Sequence, residues 1–140
     1  MKKIIVGLVA VVIAGFCVIQ FMRFQDQHAQ EVMAKELRKA ISATMLDLSQ
    51  AKGASIQGVP ADGRWYHAVN FNTKLYGVVD YHVENRMLIR GNHGSSQQIA
   101  KFIDELNIRR LPADKLIVEV KIILRNKSIL TSNFRVRIQE

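Results

Sequence analysis

The chain opens on an apolar run, residues 4–22, interrupted only by Gln20 and free of charge until Arg23. At about 1.5 Å per residue a helix of that length covers roughly 28 Å, close to the ~30 Å hydrocarbon core of a bilayer. Lys2 and Lys3 precede the run. The positive-inside rule then keeps the N-terminus in the cytoplasm and carries the rest of the chain across the membrane, with residues 1–25 as cytoplasmic tip and single-pass anchor. A cleaved secretory signal has the same basic start and apolar centre, and Val12-Ile13-Ala14 would serve as its cleavage triplet. The apolar stretch continues past that triplet, which favours the uncleaved anchor.

From Asp26 to about Lys52 the pattern is amphipathic. Ala29, Met33, Leu37, Ile41, Met45 and Leu48 recur at helical spacings, while Glu31, Lys35, Glu36, Arg38, Lys39 and Asp47 mostly occupy the other side. The packing face is therefore predicted to be Met33, Leu37, Ile41, Met45 and Leu48. Neither Pro nor Gly falls between Phe16 and Lys52. Anchor and amphipathic segment thus read as one continuous helix, with Gly53 as its stop.

Beyond a Gly- and Ser-containing connection the period changes from helical to alternating. Strands are predicted around 65–71, 75–83, 87–89, 116–125 and 129–138, the last two as a hairpin closed by Asn126-Lys127-Ser128. Residues 91–96 read as a loop. Residues 97–106 read as a short helix, because Ile99, Phe102, Ile103 and Leu106 are three or four apart. These elements predict an α+β fold: a long N-terminal helix, transmembrane then amphipathic, packed on a small antiparallel β-sheet. Residues 26–52 continue the anchor, and 53–140 form the β-rich part of the same extracytoplasmic domain.

Charge and chemistry change this picture little. Cys17 is the only cysteine, so no intramolecular disulfide forms. The net charge of +8 is spread along the chain, which suits a solvated surface better than a nucleic-acid patch. Lys121, Arg125, Arg135 and Arg137 are predicted to share one face of the final hairpin. That face could attract phosphates, although edge cations also serve to discourage strand aggregation. Of His28, His67, His82 and His93, only His67 and His82 could meet across strands, and no pair has metal-ligand spacing on a helix. Asp104-Glu105 are neighbours, and neighbours do not share a helix face. His93-Gly94-Ser95-Ser96 lacks an orienting acid or a nucleophile elbow. No enzyme, cofactor or metal is expected.

An apolar helix continued by an amphipathic one and capped by antiparallel strands resembles the type IV pilin-like proteins, including minor pilins and minor pseudopilins. Gly63-Arg64-Trp65, Val79-Asp80-Tyr81-His82-Val83 and the closing Thr131-Ser132-Asn133-Phe134-Arg135-Val136-Arg137 are similar to that family's strands. Gly15-Phe16, with Gln20 at the fifth position from Phe16, stands where the family has its processing glycine, phenylalanine and glutamate. The acid is thus replaced by an amide, and the leader before Gly15 is apolar. Gly7, Ala10, Ala14 and Gly15 offer small surfaces for close helix packing. The resemblance implies a structural subunit or assembly factor of a type IV pilus or type II secretion-type machine in the inner membrane. Its partners would be other pilin-like subunits and inner-membrane assembly proteins. A membrane-tethered binding module for protein, envelope polymer or DNA is the alternative.

Overall fold

The computed structural model describes the backbone of residues 2–140, and the side chains of residues 17–140 other than Phe21 and Phe24. Helix α1 spans Lys2–Ser49. The chain divides into two units, Met1–Val32 and Met33–Glu140. Among the described residues no helix is long and apolar enough to cross a membrane. The anchor expected over residues 4–22 lies for the most part outside the side chains described, as do Gly7, Ala10, Ala14, Gly15 and Phe16 of the small-residue and processing motifs. In the first unit, Val18, Ile19 and Met22 are exposed.

The second unit corrects the expected fold class. Instead of a helix on one small sheet, it is mostly antiparallel β, with seven strands in two sheets. The first sheet has the order β1 (Val69–Thr73), β2 (Gly77–Glu84), β3 (Met87–Asn92), β4 (Ser95–Lys101). The second has the order β5 (Ile103–Arg110), β6 (Ile117–Arg125), β7 (Ile129–Arg137). Every pairing is antiparallel between chain neighbours, the arrangement that short turns permit. Two of those turns hold two residues each, Asn85-Arg86 and His93-Gly94, all at positive φ. That conformation matches the right-handed twist of the flanking strands. The loop expected at 91–96 therefore shrinks to His93-Gly94.

The helix expected over 97–106 is β4 and β5. The cause of the difference is visible in the ladders. A bulge leaves Ile99 unpaired between Gln98 and Ala100, and a second leaves Asp104 unpaired between Ile103 and Glu105. Between them Phe102 turns the chain at φ 62° from one sheet into the other. The buried positions accordingly fall at Ala100, Ile103, Leu106 and Ile108. Bulges have stretched a two-residue period into one that imitates a helix. Asn107, by contrast, is buried on the other face.

Both inner faces and α1 from Met33 onward share one hydrophobic cluster, which includes Phe71, Val79, Tyr81, Leu88, Val118, Val120, Ile122 and Leu124. The helical face differs from the one expected. Met33 and Leu48 are buried, Leu37 and Ile41 are half-buried, and Met45 is exposed. At about 100° per residue a string of four-residue steps drifts round the helix, so Met45 stands about 120° from Met33. Ala40, Thr44 and Asp47 stay within about 40° of Met33, and all three are buried. The Thr44 hydroxyl is satisfied by the Ala40 carbonyl at 2.7 Å.

Candidate functional site: two acidic ties and a cationic sheet face

Two carboxylates on α1 reach the first sheet. Asp47 is 3 % exposed. It accepts the Tyr81 hydroxyl and two nitrogens of Arg90, Nε at 2.6 Å and Nη2 at 3.4 Å. Tyr81 and Arg90 are a cross-strand pair of β2 and β3, so one helical acid spans two strands. Arg90 also lies over the Tyr76 ring, 5.0 Å from its centroid. Burial, and then the hydrogen bond to Asp47, raise the Tyr81 phenol far above its ordinary range. The hydrogen bond to Asp47 likewise holds Arg90 in its charged form.

Glu36 makes the second tie. Its Oε2 accepts the backbone N–H of Lys101 on β4 at 2.9 Å, and its Oε1 accepts the Lys39 ammonium at 2.8 Å. Burial pushes its carboxyl up, but the Lys39 and Lys101 contacts together hold it below the ordinary value. Sequence reasoning placed both acids on the solvent side of the helix. The available signal was phase: Glu36 and Asp47 lie about 60° and 40° from Met33, inside the apolar stripe.

The outer face of the second sheet gathers the predicted cations. Lys121, Arg125, Arg135 and Arg137 are joined there by Arg109, because positions 109, 119 and 135, and likewise 117 and 137, stand opposite one another. The face is partly neutralised. Arg109 donates twice to Glu119 Oε2, at 2.9 and 2.7 Å, and lies 4.4 Å from the centroid of Trp65. Burial opposes ionisation of Glu119, yet the Arg109 and Asn133 hydrogen bonds and the nearby cations hold its carboxyl below the usual range. Arg135 stands 3.8 Å from the same carboxylate. Arg137 faces Asp114 at 3.4 Å and Arg125 faces Asp104 at 3.3 Å. Those three arginines are more than half exposed, so the pairs contribute little beyond orientation. Arg109 was not singled out from sequence, and Trp65, expected at the start of a strand, lies before β1; no periodic signal links it to a strand position 44 residues later.

The remaining candidates disperse. His67 Nδ1 is 3.2 Å from the Leu106 carbonyl, whereas His82 lies between Asp80 (3.1 Å) and Glu84 (3.6 Å) on β2. The two histidines thus have different partners. The His93 ring packs beside Gly77, where a Cβ would lie 2.9 Å from it. Ser95 donates to the Asn92 carbonyl, and Glu105 accepts from Asn107. Gln20 is exposed, as is Cys17. Among the described residues no group of three or more His, Cys, Asp or Glu could hold a metal ion. No protein-family model matches this chain, and no curated protein matches it.

Proposed function

We propose that the protein is a membrane-anchored, pilin-like structural subunit or assembly factor of a type IV pilus or type II secretion-type machine. In this reading the N-terminus is cytoplasmic and the β-rich unit is extracytoplasmic. The observation that carries it is the character of α1. Its described N-terminal part exposes Val18, Ile19 and Met22, which close an apolar run with a basic start. Its C-terminal part is built into the β unit through Met33, Ala40, Leu48 and the buried Asp47. Apolar side chains exposed on a helix favour a lipid or helical environment over water.

Cys17 offers a direct test, since it is the sole cysteine and is exposed. A benzophenone maleimide coupled to Cys17 and photolysed in native membranes should join this chain to other short, N-terminally apolar proteins, since the photoreactive group inserts into any neighbouring C–H bond. Replacing residues 1–25 with an unrelated transmembrane helix should abolish both that partnership and function. Function surviving the exchange would sink the proposal and leave a tethered binding module. The cationic outer face of the second sheet favours that second reading.

A further inference from the structure

We infer that the free edge of β7 is a docking site for an extended peptide segment of another protein, one that alternates acidic and apolar residues. The inference stands apart from the role proposed for α1. Among the described residues, β7 has a ladder neighbour on one side only, β6. In an antiparallel strand every second residue turns its N–H and C=O away from the neighbour it already has. Such an edge is a template for one more strand.

The protein itself uses the continuation of this edge. Just past β7, the Gln139 N–H donates to the Ala51 carbonyl at 2.9 Å, and the Gly53 N–H donates to the Gln139 carbonyl at 2.7 Å. Lys52 and Gln139 form a parallel bridge there. That short segment stops before residues 129–136, which keep their outward groups.

The side chains of β7 specify the visitor. On the outer face Arg135 and Arg137 are 63 % and 68 % exposed. They stand two residues apart, the spacing at which side chains of an added strand recur on one face. Their ion pairs are long, 3.8 Å from Arg135 to Glu119 and 3.4 Å from Arg137 to Asp114. The Glu119 oxygen near Arg135 is already engaged by Arg109 through two short hydrogen bonds. On the inner face Leu130 and Phe134 remain half-buried at the rim of the core. An incoming strand with carboxylates on one face and apolar side chains on the other would pair with the first row and cover the second. A nucleic acid would use the cations but leave the backbone edge and the apolar rim unmet.

The test uses the full chain in detergent and a labelled, end-blocked peptide of roughly eight residues alternating Glu and Val, about the length of an ordinary strand. Fluorescence anisotropy should show saturable binding, and hydrogen exchange should slow at the β7 amides. Arg135→Glu combined with Arg137→Glu should weaken binding about tenfold or more, as reversing two cations beside carboxylates requires. N-methylation of alternate peptide nitrogens should abolish binding to the unaltered protein, an arm that does not depend on any variant folding. Absence of binding by the Glu/Val peptide would overturn the inference. So would equal binding of the methylated peptide, or displacement of the parent by a single-stranded oligonucleotide of equal charge that binds more tightly. The last outcome would make the face a polyanion site.

Discussion

Asp47→Asn isolates the charge that ties α1 to the first sheet. The substitution keeps the side chain's shape and its acceptor for the Tyr81 hydroxyl, but removes the counter-charge of Arg90. The Asp47 side chain is 5 % exposed and that of Arg90 is 15 % exposed, so water cannot replace the missing partner. Breaking such a pair from one side costs about 3–5 kcal/mol, because the surviving charge stays buried. Arg90 retains the Tyr76 ring and a little solvent, which favours the lower end, about 3 kcal/mol. With a urea dependence of roughly 2 kcal/mol per molar, the midpoint should fall by about 1.5 M. The assay is urea unfolding followed by circular dichroism on the detergent-solubilised chain. A second variant, Asp47→Asn with Arg90→Met, removes the stranded charge and should recover at least about half of the loss. A single-variant cost below about 0.5 kcal/mol, the scale of surface substitutions, would refute the reasoning. A double variant no better than the single would also refute it, since Arg90 would not then be the group left uncompensated.

Three further outcomes are expected. Leu48→Ala should cost about 3 kcal/mol, the usual loss for a fully buried leucine, and Met45→Ala less than about 0.5 kcal/mol; equal effects in urea unfolding would contradict the helical face described above. The Glu36 and Glu119 carboxyls titrate below their ordinary value of 4.5, so their stabilisation is present above that value and is lost as pH falls through the lower, folded-state range. Unfolding midpoints measured from pH 6 downward should therefore decline, and Glu36→Gln should flatten the decline. Tyr81 has the opposite sign: its pKa is raised from an ordinary 10.0, so its contribution is complete below about pH 10 and is lost as pH rises toward the folded-state value. Tyr81→Phe should flatten that alkaline loss, and an unchanged alkaline profile would show that the buried phenol is not its source.

How much was legible in the chain depended on whether the periodicity stayed in phase. β6 was readable because Val118, Val120, Ile122 and Leu124 alternate without interruption, and all four are buried. Lys121, Arg125, Arg135 and Arg137 stand on one face by the same alternation, whereas the acids that partly neutralise them have no such signal, because ion pairs such as Arg135 with Glu119 depend on register rather than pattern. β4 and β5 were unreadable because a bulge, a left-handed Phe102 and a second bulge each shift the phase within ten residues. Without those three faults the second sheet would have been visible, and with it the predominance of β structure. The acidic ties were lost for another reason. A charge at a helical position inside an apolar stripe looks like noise until the facing strand supplies its partner, and Arg90 lies 43 residues away.

Glu36 and Asp47 also fix something that apolar packing cannot. The hydrophobic attraction of a stripe for a sheet is non-directional and follows the apolar area buried, so it names no particular partner for a particular residue. The two carboxylates are 11 residues apart, about 16 Å along the axis, and each meets a different partner, the Lys101 amide and the Tyr81–Arg90 pair. A slip of one turn, about 5.4 Å, would strand both acids and leave Arg90 without a counter-ion. The ties therefore set the axial register of residues 33–49 against the first sheet, while the burial of Met33, Ala40 and Leu48 supplies the attraction. A subunit that transmits force between a helix and a β unit, as the proposed role demands, needs that register more than it needs extra affinity. Asp47→Asn should for this reason impair assembly more than Leu48→Ala does, even where the two cost the same stability in urea.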